Sequence, residues 1–151
     1  MRIKPDERLS DEALYELAKE ASERAYCPYS NYAVGVALEC DTGWVYLGSN
    51  VENASYGATV CAERVALCEA VLSGERRLLR IAIYGKRKGE RREGRAMPCG
   101  ICRQALSEFD PSSLIVITGE DGLSDSVNFS SILPYSFTKD SLNSFTKESL
   151  K

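Results

Sequence analysis

Two short cysteine clusters hold the residue types from which chemistry could be built: Cys61-Ala62-Glu63 and Pro98-Cys99-Gly100-Ile101-Cys102. Together they offer three thiols and a carboxylate. Three thiolates can bind zinc and leave a fourth coordination position open, and a nearby Glu can move protons for a water held there. Cys99 and Cys102 are three residues apart, so on the first turn of a helix they point the same way and can grip one ion. Cys61 lies far upstream and must be delivered by the fold. Both clusters read as helix starts, where the positive end of the dipole and free N–H groups favour thiolate. Arg64, next to Glu63, is the nearest compensating charge, and the expectation is that it hydrogen-bonds a thiolate sulfur.

The chain has no histidine, which removes every Ser-His, Cys-His or HExxH mechanism. Acid–base chemistry is left to a carboxylate, a thiol, a Lys or a metal-bound water. A closed structural zinc would need a fourth cysteine. Cys68 stands about 10.5 Å along a helix from Cys61 and cannot share the ion. Cys27 and Cys40 sit in other elements and stay open as candidates. An isolated C-x-x-C could be a redox pair, but C-A-E at the other end and Pro98 before the pair favour a catalytic metal.

The elements that must position these residues are legible in outline. Ser10 is an N-cap, with Asp11 and Glu12 in the first turn and Leu9 placed to staple onto Leu14. Leu14, Leu17, Ala18, Ala21 and Ala25 follow at helical spacing, and Pro28 is the expected stop. A hairpin comes next, with Val34, Val36 and Leu38 on a bulky face and Ala33, Gly35 and Ala37 on a small face that would admit a helix closely. Asp41-Thr42-Gly43 supplies its turn and Trp44 to Leu47 its return strand. The polar loop from Gly48 to Asn53 leads to a helix over Cys61–Leu72, with Gly74 as its stop. Arg80–Gly85 and Leu114–Thr118 read as strands covered on both faces, separated by a helix over Cys99–Phe109. Alternating strands and helices after a hairpin predict an α/β domain with helices on both sides of the sheet.

At 151 residues the length suits one domain with a proper core. The net charge of −3 gives no overall basic field for nucleic acid or anionic membrane. The opening residues have no apolar signal segment, and no run is long and apolar enough to span a membrane. These features predict a cytoplasmic protein and argue against a disulfide framework. Lys86–Arg95 is strongly basic and reads as a solvated loop. In the tail, Ser136–Leu142 recurs as Ser144–Leu150, a local duplication. The predicted division is a domain over 1–138 and a tail over 139–151.

Cys61-Ala62-Glu63-Arg64 with Pro98-Cys99-Gly100-Ile101-Cys102-Arg103-Gln104 resembles the cytidine deaminases, in their three-cysteine, homotetrameric branch. In zinc deaminases generally, a Glu that is not a ligand moves the protons. Ala25–Ser30, Asn50–Tyr56 and Leu133–Phe137 resemble further landmarks, so the likeness covers roughly residues 10 to 138. It implies a three-layer α/β/α sandwich around a five-stranded mixed sheet. It also implies zinc on Cys61, Cys99 and Cys102, with Glu63 as the proton shuttle. Asn50 and Glu52 match residues that hold ribose hydroxyls. Tyr32 matches an aromatic near the base, Ala62 a backbone contact to the pyrimidine edge, and Phe137 an aromatic lent by a neighbouring subunit. The duplication makes Phe145 a second candidate for that aromatic, although spacing from Pro134 favours Phe137. Ala54 and Tyr56 lie in the segment that approaches a neighbour's ribose, and Gln104 matches a residue supporting the zinc-ligand region. The implied activity is hydrolytic deamination of the nucleosides cytidine and deoxycytidine in pyrimidine salvage.

Three other readings compete. The basic 86–95 stretch could track phosphates for deamination of bases in RNA or DNA, but the acidic total charge and the lack of interleaved aromatics argue against it. A non-catalytic zinc module would share the cysteines without the turnover. A deaminase of blasticidin-like nucleoside analogues would share the chemistry; the Asn50–Asn53 segment favours cytidine.

Overall fold

The computed structural model describes residues 1–121 and 123–142. Phe145 and the second copy of the duplication lie outside that range. In chain order the elements are β1 (Arg2–Ile3), α1 (Asp11–Ser22), β2 (Tyr32–Cys40), β3 (Val45–Ser49), α2 (Ala62–Leu72), β4 (Leu78–Arg87), α3 (Gly100–Leu106), β5 (Ile115–Glu120) and β6 (Leu123–Asn128). Short 3₁₀ turns cover Tyr56–Ala58 and Phe129–Ser131.

All six strands form one sheet in the order β1-β3-β2-β4-β5-β6. The pairings are antiparallel except β4 with β5, which is parallel. The expected sheet was mixed but five-stranded. The correction comes at the edges, where Arg2 and Ile3 pair with Tyr46 and Val45 and the polar stretch Leu123–Asn128 pairs with β5. A short or polar edge strand carries no apolar run to announce it.

Helix α1 begins where its cap predicts, with Ser10 Oγ accepting from Ala13 N at 3.2 Å. Leu9 packs against the same core cluster as Leu14. The helix stops at Ser22, earlier than Pro28 implied, because Glu23 and Arg24 donate back to Glu20 and Ala21 in a tightened last turn. Ala25 therefore lies beyond the helix.

The side-chain alternation of β2 divides the core into two layers. Val36, Leu38 and Cys40 join the cluster under α2 with Ala66 and Ala70. Ala37 joins the cluster under α1 with Leu14 and Ala18. The small face acts as expected: a Cβ on Gly35 would overlap the Ala18 carbonyl and Ser22 of α1. Gly48 of β3 does the same for α2, since a Cβ there would overlap the Ala62 carbonyl and the Ala66 amide. Gly48 thereby seats the first turn of α2, which carries Glu63.

Strands β3 and β4 both run antiparallel to β2 and hence share a direction. The loops that follow them leave the sheet at one edge, and these loops end at Cys61 and Cys99. At the opposite end of β4, Arg80 donates to Glu39 through Nε (2.6 Å) and Nη2 (2.9 Å). It also reaches Asp11 Oδ1 at 2.6 Å and the Leu9 carbonyl at 2.8 Å. This buried cluster ties both central strands to the start of α1.

Candidate active site

Cys61 is the N-cap of α2 and Cys99 that of α3, with Cys102 in the first turn beyond. The loop delivering Cys61 is held by backbone pairs that Val51 makes with Val60 and by Glu52 N donating to Tyr26 O. The Cys61 and Cys99 sulfurs are 3.8 Å apart, those of Cys99 and Cys102 are 3.6 Å apart, and all three lie within 4.8 Å of one another. A tetrahedral zinc with bonds of about 2.3 Å to sulfur sets its sulfurs about 3.8 Å apart, so the donor set fits that ion. Among the described residues neither Cys27, Cys40, Cys68 nor any carboxylate joins the group. Three candidate ligands remain, the number that would leave a fourth position of a tetrahedral ion open.

The three thiols are not alike in their electrostatics. Burial pushes Cys61 up, with the Glu63 charge adding to it, and burial and Glu63 push Cys102 up strongly. At Cys99 burial acts upward too, but the N–H groups of Cys102 and Ile101 and the neighbouring thiols outweigh it and lower the pKa. The expected effect of the helix ends is thus realised at Cys99 and overridden at the other two. Arg64 donates Nη2 to the Thr59 carbonyl at 2.9 Å, and its Nε is buried without a partner. Donation to a sulfur is not among its contacts. The orphaned Nε belongs to a guanidinium in the same first turn as Glu63, where an anionic metal–thiolate group would be balanced.

Glu63 is 4% exposed. Burial raises its pKa above the ordinary carboxylate range, opposed by its own backbone N–H, the Cys102 thiol and the Arg64 charge. It lines a cavity of about 340 Å³ together with Cys61, Cys99, Ala62, Asn50 and Tyr32. Sequence reasoning missed Val34, Thr59, Ile83, Arg95, Ala96 and Met97 in the same wall. Val34 could have been found from its period-two relation to Tyr32, and Arg95–Met97 from their place just before Pro98. Ile83 had no local signal.

Asn50 is buried, with Oδ1 accepting from Val34 N at 2.9 Å and Nδ2 donating to Tyr32 O at 3.0 Å. One bond at each end of the amide leaves half its capacity for a ligand. Glu52 faces a second cavity of about 380 Å³, which it lines with Tyr56 and which shares Thr59 with the first. Its carboxylate accepts from Tyr29 N (2.9 Å), Ser30 N (3.2 Å) and the Ser30 hydroxyl. The Ser30 hydroxyl is the main cause of its lowered pKa, and the two backbone N–H groups help. Ala54 is exposed and Tyr56 is 77% exposed. Phe137 is 54% exposed and lines neither cavity; its carbonyl accepts from Gln104 Nε2 at 2.8 Å, which ties this segment to α3.

The basic stretch differs from the expected loop. Lys86 and Arg87 belong to β4, paired with Ala33 and Tyr32. Arg87, Arg92 and Arg95 pair with Glu90, Asp121 and Asp125 at 3.5, 3.7 and 3.0 Å. Much of the charge a phosphate chain would need is thereby answered within the protein. No helix among the described residues is long and apolar enough to cross a membrane.

Fold and site together define a mixed α/β domain that carries a three-cysteine candidate metal site beside a buried carboxylate. Residues 8–118 match the cytidine and deoxycytidylate deaminase zinc-binding region. A cytidine deaminase of Sporosarcina psychrophila is 38% identical over 133 residues, 87% of this chain and 94% of its own length. One from Halalkalibacterium halodurans is 40% identical over 131 residues, covering 86% and 96%. The crystal structure of cytidine deaminase from Burkholderia pseudomallei superposes with a TM-score of 0.77 at 41% identity, covering 85% of this chain and all of that one. The chain belongs to the cytidine and deoxycytidylate deaminase family.

Proposed function

We propose that the protein deaminates cytidine and deoxycytidine to uridine and deoxyuridine, consuming water and releasing ammonia, in cytoplasmic pyrimidine salvage. The observation that carries this reading is that Cys61 and Cys99 share one cavity wall with the buried Glu63, with the Cys102 sulfur grouped with theirs just behind it. Cys61, Cys99 and Cys102 would hold zinc, which when bound supplies Lewis-acid activation of water. Glu63 accepts one proton of the water and passes it to the pyrimidine ring nitrogen N3. It then takes the proton of the hydroxyl formed at C4 and passes it to the amine, which leaves as the C4–N bond breaks and the carbonyl forms. Atoms balance: water oxygen enters at C4 and ammonia departs.

The chain's other residues bind and orient. Tyr32 flanks the base, the Ala62 backbone meets its edge, and Arg64 balances the charge of the thiolates. The ribose runs past Thr59 from the first cavity towards the second, between Asn50 and Glu52. The carboxylate of Glu52 disfavours an added phosphate and favours free nucleosides. Tyr56, Ala54 and Phe137, all exposed, would complete a neighbour's site in a homotetramer, with Gln104 holding the Phe137 segment.

Cytidine, deoxycytidine and CMP assayed side by side, with metal analysis, test the reading. The two nucleosides should be converted by a protein carrying one zinc per chain, and CMP poorly. Glu63→Ala should keep its zinc and lose about 10²–10⁴-fold in turnover, the range for removing a general acid–base. Near wild-type turnover in that variant would refute the role of Glu63.

A further inference from the structure

Gly85 lies on β4 opposite Val34 of β2, behind the wall of the first cavity. A Cβ on Gly85 would overlap the Tyr32 hydroxyl and stand 2.9 Å from both Tyr32 Cζ and Ala96 Cβ. The tyrosine ring therefore occupies the space that a side chain at position 85 would fill. Its pKa is raised by burial, in keeping with a phenol packed against the sheet.

The backbones of both neighbours are held in place. The Tyr32 amide accepts no slack, since it donates to Ser30 Oγ at 2.9 Å while the Tyr32 carbonyl receives Asn50 Nδ2 at 3.0 Å. Ala96 is buried, and its carbonyl is gripped by the wholly buried Thr118 Oγ1 at 2.7 Å. With both backbones pinned, the remaining motion is rotation of the Tyr32 ring away from β4. The ring lines the first cavity together with Ala96 and Asn50, so displacing it changes the shape of that cavity.

We infer that Gly85 is a positioning residue for substrate specificity: its missing side chain sets how far the Tyr32 ring recedes, and so the depth available to a pyrimidine ring. This rests on the proposed deaminase reading and extends it to a residue that contacts no substrate. Gly85 and Tyr32 form a matched pair, in which the phenolic oxygen claims the room that glycine leaves. Removing that oxygen makes Cζ, at 2.9 Å, the nearest ring atom to a Cβ at 85, an overlap that small shifts relieve.

The test is a double-variant cycle on the zinc-loaded full chain, made of Gly85→Ala, Tyr32→Phe and both together. Thermal unfolding is recorded beside KM and kcat for cytidine. In the Tyr32 protein, Gly85→Ala should raise KM about tenfold, the scale of a methyl-sized misfit in a binding pocket, with kcat moving less. In the Tyr32→Phe background the same change should raise KM only about twofold. An equal rise in both backgrounds overturns the pairing, as does a fall in melting temperature with KM unmoved. A wild type that turns over no cytidine counts against the deaminase reading itself. With wild-type turnover intact, an unmoved KM counts against the role of Gly85 alone.

Discussion

Two buried charged clusters sit at opposite ends of the central strands, and they are built to opposite rules. At one end Arg80 is answered on every side by Glu39, Asp11 and the Leu9 carbonyl. The ionic attraction is spent within the chain, and the cluster joins α1 to the sheet. At the other end three thiols crowd together, two of them held up in pKa by burial, and Arg64 Nε has no partner. A closed cluster supports a fold, whereas an open one is completed by something the chain does not encode. The difference sets the thiol end apart as the one with capacity left for a ligand.

The comparison breaks most visibly when its open end is denied a cation. Cys102→Ser, or dialysis against a strong chelator, should abolish metal content and turnover while the sheet's far-ultraviolet circular dichroism persists. Turnover surviving complete loss of metal would erase the distinction. The closed end is probed by Arg80→Met, which strands the Glu39 carboxylate and should cost about 3–5 kcal/mol in urea unfolding. Per folded molecule, turnover at the other end should be little altered; a matched loss of kcat would show that the two ends are coupled.

A smaller effect concerns Glu52, which resembles the closed cluster although it faces a cavity. Its folded pKa is lowered chiefly by the Ser30 hydroxyl. The stabilisation it brings is therefore complete above the ordinary carboxylate pKa and is lost as pH falls through the lowered folded value. Ser30→Ala should raise the Glu52 pKa and move that acid loss to higher pH, read by an NMR titration of the Glu52 carboxyl. An unmoved titration would detach Glu52 from Ser30.

What could be read from the residues alone divides along the same line. The cysteine clusters, the Ser10 cap and the small face of β2 were legible because their chemistry is local. The Arg80–Glu39 pair, 41 residues apart, was not. Nor was the separation of Asn50 and Glu52 into different cavities, which follows from Ser30 and the backbone of Tyr29 capturing Glu52. Lys86 and Arg87 read as loop from their charge, yet the ladder to Tyr32 and Ala33 extends β4 through them. Tertiary pairing overrode local polarity there. β1 and β6 were missed because edge strands do not need apolar sequences.

The shared direction of β3 and β4 has a consequence for quality control. The Cys61 and Cys99 loops leave one edge only when both strands have docked on β2. A chain with that docking unmade would have to bring its two ligand sets together against the entropy of closing the loop between them. Zinc held by the triad would favour the finished sheet over its precursors and stabilise it by mass action. The melting temperature should climb with the logarithm of free zinc, each tenfold rise above the dissociation constant adding about 1.4 kcal/mol; a flat response would show that the ion is indifferent to the sheet. Metal supply would thus become a term in this protein's folding equilibrium, and a bound ion would mark a correctly closed chain.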